Sequence, residues 1–303
     1  MSIEIIKEVC DELNIKYTDL SKNWITKLEK DNKVRYICGN KFDINGVIVN
    51  HIMDDKYALF CVLKNLGIPV CEHTIFYNQN NQNSFASNCH TINDLIECFN
   101  KYNHDVVIKP NIGFQGKGVY HVTNKDELLE KTNLLLKNKY SISICPFYHI
   151  INEYRVILLD NNIKLLFKKI NPVVIGDGVS TLKELLIKFN PYYFNNADIP
   201  DLILDSNQEY VYDFRFNLSK GSIASIDIEN SLKEKISKLA IDVTKKIGIR
   251  FASIDIIETT SHELLIMEAN SGVTINKVIN FIPNGYEIAK VIYKEAILKM
   301  FSD

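Results

Sequence analysis

Residues 251–270 read FASIDIIETTSHELLIMEAN, and the fold turns on them. The runs at Phe251–Glu258 and Glu263–Glu268 are rich in apolar and β-branched residues and are split by a polar turn, which predicts an antiparallel hairpin. Asp255 and Glu268 lie nearly symmetrically about the turn near Ser261-His262, so they face each other across the two strands. Asn270 stands two residues beyond Glu268 and projects from the same face. Two carboxylates and a carboxamide converging on one point suit Mg²⁺, which takes few carboxylates and completes its octahedron with water and substrate phosphates. The alternative is a pair of solvent-facing acids on an edge hairpin. Against it stand the apolar neighbours Ile254, Ile256, Ile266 and Met267, which mark buried strand positions where an unpaired acid is costly.

Upstream, Asp105–Lys109 reads as a buried strand ending at Pro110, and Val119–Val122 as its hairpin partner. The loop between them carries Gly113-Phe114-Gln115-Gly116-Lys117-Gly118. Its backbone amides and ammonium group could meet phosphate oxygens together, or the glycines could serve turn geometry alone. It matches neither a Walker loop nor a dinucleotide fingerprint. A helix begins at Asp54-Asp55-Lys56 and stops at Gly67-Ile68-Pro69. A polar loop is expected at 78–83, and helices at Ile92–Phe99 and Lys125–Leu136. Strands are expected at Ser141–Ile144, Tyr154–Leu159 and Ile163–Lys169, the last two joined by Asp160-Asn161-Asn162. Gly176-Asp177-Gly178 is a tight turn, and Ser180 or Thr181 caps a helix through Phe189 with Glu184 near the capping-box position. Ser231–Ile247 is the longest helical pattern, and a closing helix runs Tyr286–Met300 with Lys294 and Glu295 on a solvated face. Before Asp54 the signal is weaker: a helix at Ile3–Leu13, short strands at Val34–Cys38 and Val47–Val49, and Trp24 as a packing anchor for a small cap.

A length of 303 residues suggests about two domains at roughly 150 residues each. Hydrophobic residues at 46% and charged residues at 24% exclude a disordered chain. A net charge of −2 leaves no basic footprint for nucleic acid. Acidic residues through Met1–Glu12 do not suit a signal peptide, and no run reaches the roughly 18–20 apolar residues of a membrane span. A cytoplasmic protein with no membrane partner is expected, its seven scattered cysteines reduced. The histidines are isolated and predict no histidine-based mechanism, and Tyr192, Tyr193 and Phe194 read as core.

The ordered set Lys56, Lys109, the glycine loop, Glu153, Lys169, Arg215, Asp255, Glu268 and Asn270 resembles the ATP-grasp superfamily. Glu153-Tyr154-Arg155-Val156 followed by Gly176-Asp177-Gly178-Val179-Ser180-Thr181-Leu182 is similar to a stretch of cyanophycin synthetase and of the ligase domain of bifunctional glutathione synthetases. The resemblance covers about Asp54 to Asn276. It implies an α+β fold in which two subdomains, 55–143 and 144–303, grip ATP, with a short N-terminal region over 1–54. Lys56 and Lys109 would contact ATP phosphates under a lid formed by Gly113, Gln115, Gly116, Lys117 and Gly118. Cys145 and Phe147 would lie at the hinge against adenine, and Glu153 would hold the ribose. Lys169 would reach the transferred phosphate, with Arg215 and Asn217 near an acyl phosphate. Asp255, Glu268 and Asn270 would hold two Mg²⁺ ions, with Mn²⁺ as a substitute.

Three departures stand out: Cys145 where many members carry Glu, Ser253 where D-alanine:D-alanine ligases carry an arginine, and a short N-terminal region. The implied activity is an ADP-forming carboxylate–amine ligase making an amide or peptide bond through an acyl phosphate. Its substrates would be an amino acid or short peptide, and its assembly the homodimer common among such ligases. A small-molecule kinase on the same fold and an ATP-binding module without turnover are the alternatives.

Overall fold

The computed structural model describes residues 2–22, 24–78, 91–113 and 115–302. All of the expected loop at 78–83 except Asn78 lies outside the described residues, as do Cys89, His90 and Phe114. The chain opens with α1 (Ser2–Glu12) and an antiparallel meander of β1 (Lys16–Asp19), β2 (Ile25–Lys30), β3 (Lys33–Cys38) and β4 (Lys41–Phe42). Asp31 and Asn32, with φ of 49° and 61°, turn β2 into β3, because Asp and Asn tolerate the left-handed region that a tight hairpin needs.

The expected strand at Val47–Val49 is instead the start of α2 (Val47–Asp54). Its β-branched residues cost a helix only tenths of a kcal/mol each. Burial of Met53 in the core offsets that, while Val47 and Ile48 stay exposed. Asp55 ends α2 and caps α3 (Lys56–Asn65), accepting from the Ala58 N–H at 2.8 Å.

A four-stranded antiparallel sheet follows, in order β5-β8-β6-β7. It comprises β5 (Thr74–Tyr77), then, after α4 (Ile92–Lys101), β6 (Val106–Pro110) and β7 (Tyr120–Val122), and, after α5 (Lys125–Leu136), β8 (Ser141–Pro146). Val106, Ile108, Val122, Ile142 and Ile144 pack against the two helices. Alternation along β6 turns Val107 and Lys109 to the opposite face, where Val107 pairs with Cys145. Because β8 runs through Pro146, the passage from this sheet to the next falls beyond that residue.

Next come β9 (Ile150–Leu159), β10 (Asn162–Ile170), β11 (Val173–Ile175), α6 (Leu182–Phe189), α7 (Pro191–Phe194), β12 (Glu209–Val211) and β13 (Ile223–Ser225). The chain finishes with α8 (Asn230–Ile247), β14 (Phe251–Thr259), β15 (Leu264–Asn270) and α9 (Gly285–Ser302). A five-stranded antiparallel sheet has the order β13-β10-β9-β14-β15. Tyr154, Val156, Leu166, Ile254 and Ile256 share one core with Leu59 and Leu63 of α3 and with Ile236, Ala240 and Val243 of α8. Ile157, Leu159, Phe167 and Phe251 share a second core with α1, the meander and α9. The N-terminal region is thereby welded to the large sheet.

Residues of β11, α6, α7 and β12 form a flap with a small core of Val174, Leu182, Leu186, Phe194 and Leu204, while Tyr192 stays exposed. Thr181 and Glu184 make the reciprocal capping box at the start of α6. α8 and α9 are equally long, 18 residues each. The α9 face expected in solvent is tied down at Lys294 to Glu12 (2.8 Å) and at Glu295 to Lys164 (2.5 Å). Among the described residues no helix is long and apolar enough to cross a membrane.

Leu63 is fully buried where α3 meets the large sheet. Leu63→Ala should lower unfolding free energy by about 2–5 kcal/mol in urea denaturation. Exposed Leu134→Ala should change it by no more than about 0.5 kcal/mol.

Candidate active site

Cross-strand register assembles the centre of the site. Asp255 of β14 pairs with Glu268 of β15 on one side and with Arg155 of β9 on the other. Ser253 pairs with Asn270, and Glu153 of β9 with Lys169 of β10. The pleat puts all of these side chains on one face. Arg155 grips Asp255 with two parallel bonds, Nε to Oδ1 and Nη2 to Oδ2, both 2.6 Å. Lys169 Nζ donates to Asp255 Oδ2 at 3.0 Å and also to Glu153 Oε1.

Asp255, Glu153 and Lys169 are almost entirely shielded from solvent. Burial raises the Asp255 carboxyl, but Arg155 and Lys169 together outweigh it and hold the group well below the usual carboxylate range. Glu153 goes the other way: burial, reinforced by the Asp255 charge, pushes it up to about 7 against the pull of Lys169. The carboxylate expected at the ribose accepts from Lys169 and lines the cleft.

Lys56 and Lys109 reach the cleft from α3 and from β6 of the smaller sheet. Lys56 Nζ donates to the Gly113 carbonyl at 3.3 Å, and the Tyr57 N–H donates to Asn111 Oδ1 at 3.1 Å, which ties the start of α3 to the glycine loop. Burial pulls the Lys56 ammonium below its ordinary value, and Lys109 adds to this against the attraction of Glu268. Gly116 has φ +66°, which favours glycine, and a Cβ there would lie 2.9 Å from Asn217 Nδ2, so a larger residue would be strained and would displace the Asn217 amide. Arg215, held by Asp213 through Nε (2.8 Å) and Nη2 (2.6 Å), donates Nη1 to the Gly116 carbonyl at 2.9 Å. Arg215 and Asn217 therefore meet the loop itself.

Fifteen of the expected residues, Lys56, Lys109, Gly113, Gln115, Gly116, Lys117, Cys145, Phe147, Glu153, Lys169, Arg215, Asn217, Asp255, Glu268 and Asn270, line one cleft of about 1160 Å³. Gly118 does not line it. At φ +70° a Cβ on Gly118 would lie 2.9 Å from Leu135 Cδ2, so this glycine seats the base of the loop on α5. At the hinge, burial pushes the Cys145 thiol up, and the Phe147 N–H is already donated to the Asp105 carbonyl at 2.9 Å. Phe147 can offer its ring, stacked on His121 at 3.8 Å, but not its amide.

Sequence reasoning quoted Arg155 in a motif without giving it a role, and took Trp24 for a packing anchor. Trp24 is instead 64% exposed and lines the cleft. The signal for Arg155 was its place two residues after Glu153, on the same face of one strand.

The donor set also bears on the metal. Asn270 donates Nδ2 to Glu268 Oε1 at 3.2 Å, which holds the two side chains together. Among the described residues no three His, Cys, Asp or Glu side chains form a metal cluster. Asp255 already accepts from Arg155 on both oxygens and from Lys169, so Glu268 and the Asn270 carboxamide oxygen are the more open hard donors; with a remaining Asp255 lone pair they would suit Mg²⁺ and leave room for water and phosphate.

A family model described as a RimK-like ATP-grasp domain matches residues 205–294, the stretch that holds Arg215, Asn217, Asp255, Glu268 and Asn270. Cyanophycin synthetase from Synechocystis sp. is 26% identical over 239 residues, covering 70% of this chain and 26% of its own length. Among solved structures, a bifunctional glutathione synthetase from Pasteurella multocida aligns with a TM-score of 0.55 at 17% identity, over 97% of this chain and 43% of the other. A D-alanine–D-alanine ligase from Bacillus anthracis aligns at 0.57 and 17% identity, over 85% of this chain and 69% of the other.

The chain has the ATP-grasp fold. The expected α+β class and the resemblance drawn from the ordered motifs both hold. This ATP-grasp chain spans about a quarter of the length of the cyanophycin synthetase that it matches.

In the ATP-grasp cleft, Arg155 is the main counter-charge of a fully buried acid. Arg155→Leu should destabilise the fold by about 3–5 kcal/mol, because it strands Asp255 with only Lys169. Replacing Arg155 and Asp255 together by leucine should cost less than that single change in the same denaturant titration.

Proposed function

We propose that this chain is an ATP-dependent carboxylate–amine ligase that makes an amide or peptide bond through an acyl phosphate and releases ADP and phosphate. The observation that carries the reading is the meeting, in one cleft, of Lys56, Lys109, Lys117, Lys169, Arg215 and an oxygen donor set. In this reading ATP lies between a subdomain of residues 55–143 and one of residues 144–303, behind the short region 1–54. Lys56 and Lys109 hold its phosphates, the loop from Gly113 covers them, and Cys145 and Phe147 wall the adenine. Asp255, Glu268 and Asn270 hold two Mg²⁺ ions, which supply neutralisation of the β- and γ-phosphate charge.

The chemistry needs no covalent nucleophile from the protein. A substrate carboxylate oxygen forms a bond to the γ-phosphorus while the bond to the β,γ-bridging oxygen breaks; an amine then displaces phosphate from the acyl carbon and loses a proton. Lys169 and Arg215 offset the charge that spreads over the transferred group. The Arg215–Gly116 contact holds the loop down, which keeps water from the acyl phosphate before the amine arrives. The relatives named as synthetases and ligases support joining of two substrates over phosphorylation of one. An amino acid or short peptide is the substrate class that this reading favours.

The decisive assay is phosphate release from Mg·ATP across pairs of amino acids and dipeptides, with mass spectrometry of the mixtures. A ligase gives phosphate and a product lighter by one water than the sum of the pair; a phosphorylated product without free phosphate would make the protein a kinase.

Two variants probe the site directly. Glu268→Gln should reduce Mg²⁺-dependent turnover by at least about 100-fold with an unchanged far-UV spectrum. Lys109→Ala should weaken ATP binding, read as a rise of about 10-fold or more in the Kd measured calorimetrically.

A further inference from the structure

The roles proposed above leave one wall of the cleft unused, the one built by the N-terminal meander. Trp24, the single tryptophan, presents 64% of its surface and lies against the Gly39 turn. Gly39 adopts φ +58°, and Trp24 Cζ3 lies 3.1 Å from where a Gly39 Cβ would stand. The Gly39 N–H donates to the Trp24 carbonyl at 2.8 Å, so the ring rests against a turn that its own backbone fixes.

That turn is clamped in its next residues to the segment following the metal-ligand pair. The Val273 N–H donates to the Asn40 carbonyl at 3.1 Å, and Lys41 forms a β-bridge with Gly272. The same segment carries Lys277, which is exposed, lines the same cleft and pairs with no other described side chain. Lys41, by contrast, is neutralised by Asp54, which also accepts from Ser271 Oγ at 2.7 Å. This end of the cleft therefore offers an exposed aromatic face on a fixed backbone turn and a cation with no described ion-pair partner.

We propose that Trp24 and Lys277 form the recognition pocket for an amino-acid substrate, Trp24 carrying a large apolar or aromatic side chain and Lys277 its free carboxylate. The inference rests on the ligase reading and names its substrate class. A tryptophan face supplies a large apolar contact with little rotamer freedom to lose. A lysine ammonium gives a carboxylate a charge-assisted bond and repels a basic side chain. A small side chain would leave the ring bare, so the pocket discriminates by size as well as charge.

Trp24 reports its own occupancy. The full chain with Mg·ADP is titrated with L-phenylalanine, L-phenylalaninamide, L-alanine and L-arginine while tryptophan emission is followed. L-Phenylalanine should give a saturable change, with apparent affinity at least about 10-fold weaker for the amide, for alanine and for arginine. Lys277→Gln should remove the preference for phenylalanine over its amide. In turnover, Trp24→Ala should raise the KM for phenylalanine about 10-fold, and Trp24→Phe should restore most of the loss. Silence from all four probes, equal response to phenylalanine and its amide, or preference for arginine overturns the pocket, even in a chain that turns over ATP. A saturable phenylalanine response in a chain that forms no ADP with any substrate keeps the pocket and defeats the ligase reading.

Discussion

Glu153, Lys169, Asp255 and Arg155 form two carboxylates and two cations interleaved on the inner face of the large sheet. Taking such charges out of water costs several kcal/mol each, and only tight mutual pairing repays it. The cost is met because the side chains project from neighbouring central strands, β10, β9 and β14, whose hydrogen-bonded ladders fix their spacing. The rest of the architecture follows from keeping those strands still. The opposite face is apolar and packed under α8 and α3, and the far end of the same face is sealed by α1, the meander and α9. A charged centre of this kind needs cover on every side except the one from which substrate enters.

The register of that centre depends on two bulges, and they mark the limit of what the sequence discloses. Counting outward from the Asp160–Asn161 turn, an unbroken hairpin pairs Glu153 with Lys168; the irregularity between Ile163 and Leu165 moves Lys169 opposite instead. On the other hairpin, counting from Glu258–Leu264 sets Asp255 against Met267, and the shift between Asp255 and Ile256 brings Glu268 into place. A slip of one residue turns a side chain to the other face of the sheet. The acids of the second hairpin were legible because near-symmetry about its turn tolerates one extra residue. The Lys169–Glu153 pair was not, because nothing local in residues 163–165 announces a bulge. This is why Lys169, and not Lys168, shares the face of Glu153.

Elsewhere, legibility followed how local the determining interaction is. The Thr181–Glu184 capping box, the Asp160–Asn161 turn and helix α5 were readable because each is set within a few residues of itself. Val47–Val49 and Trp24 were misread for the opposite reason. The three residues at 47–49 carry strand propensity, but the helix is decided by where Met53 must go. A lone tryptophan usually reads as core, yet the space that would bury Trp24 is the cleft, which no short stretch of sequence encodes.

The roof of the site obeys a different physical rule from its floor. The floor is two extended cores joined by continuous ladders, whereas the flap that leads to Arg215 has a core of only five buried residues. Among the described residues its hydrogen bond to the glycine loop is from the Arg215 guanidinium to the Gly116 carbonyl, with Arg215 itself aimed by Asp213. A Cβ on Gly116 would stand 2.9 Å from the Asn217 side-chain amide and 3.6 Å from Arg215 Cδ, so loop and flap are in close side-chain contact. Regions with few buried apolar contacts open at lower free energy than the core. A rigid charged floor under a lightly cored roof therefore places the mobility where substrates must enter and leave, while the ion-paired centre keeps its geometry.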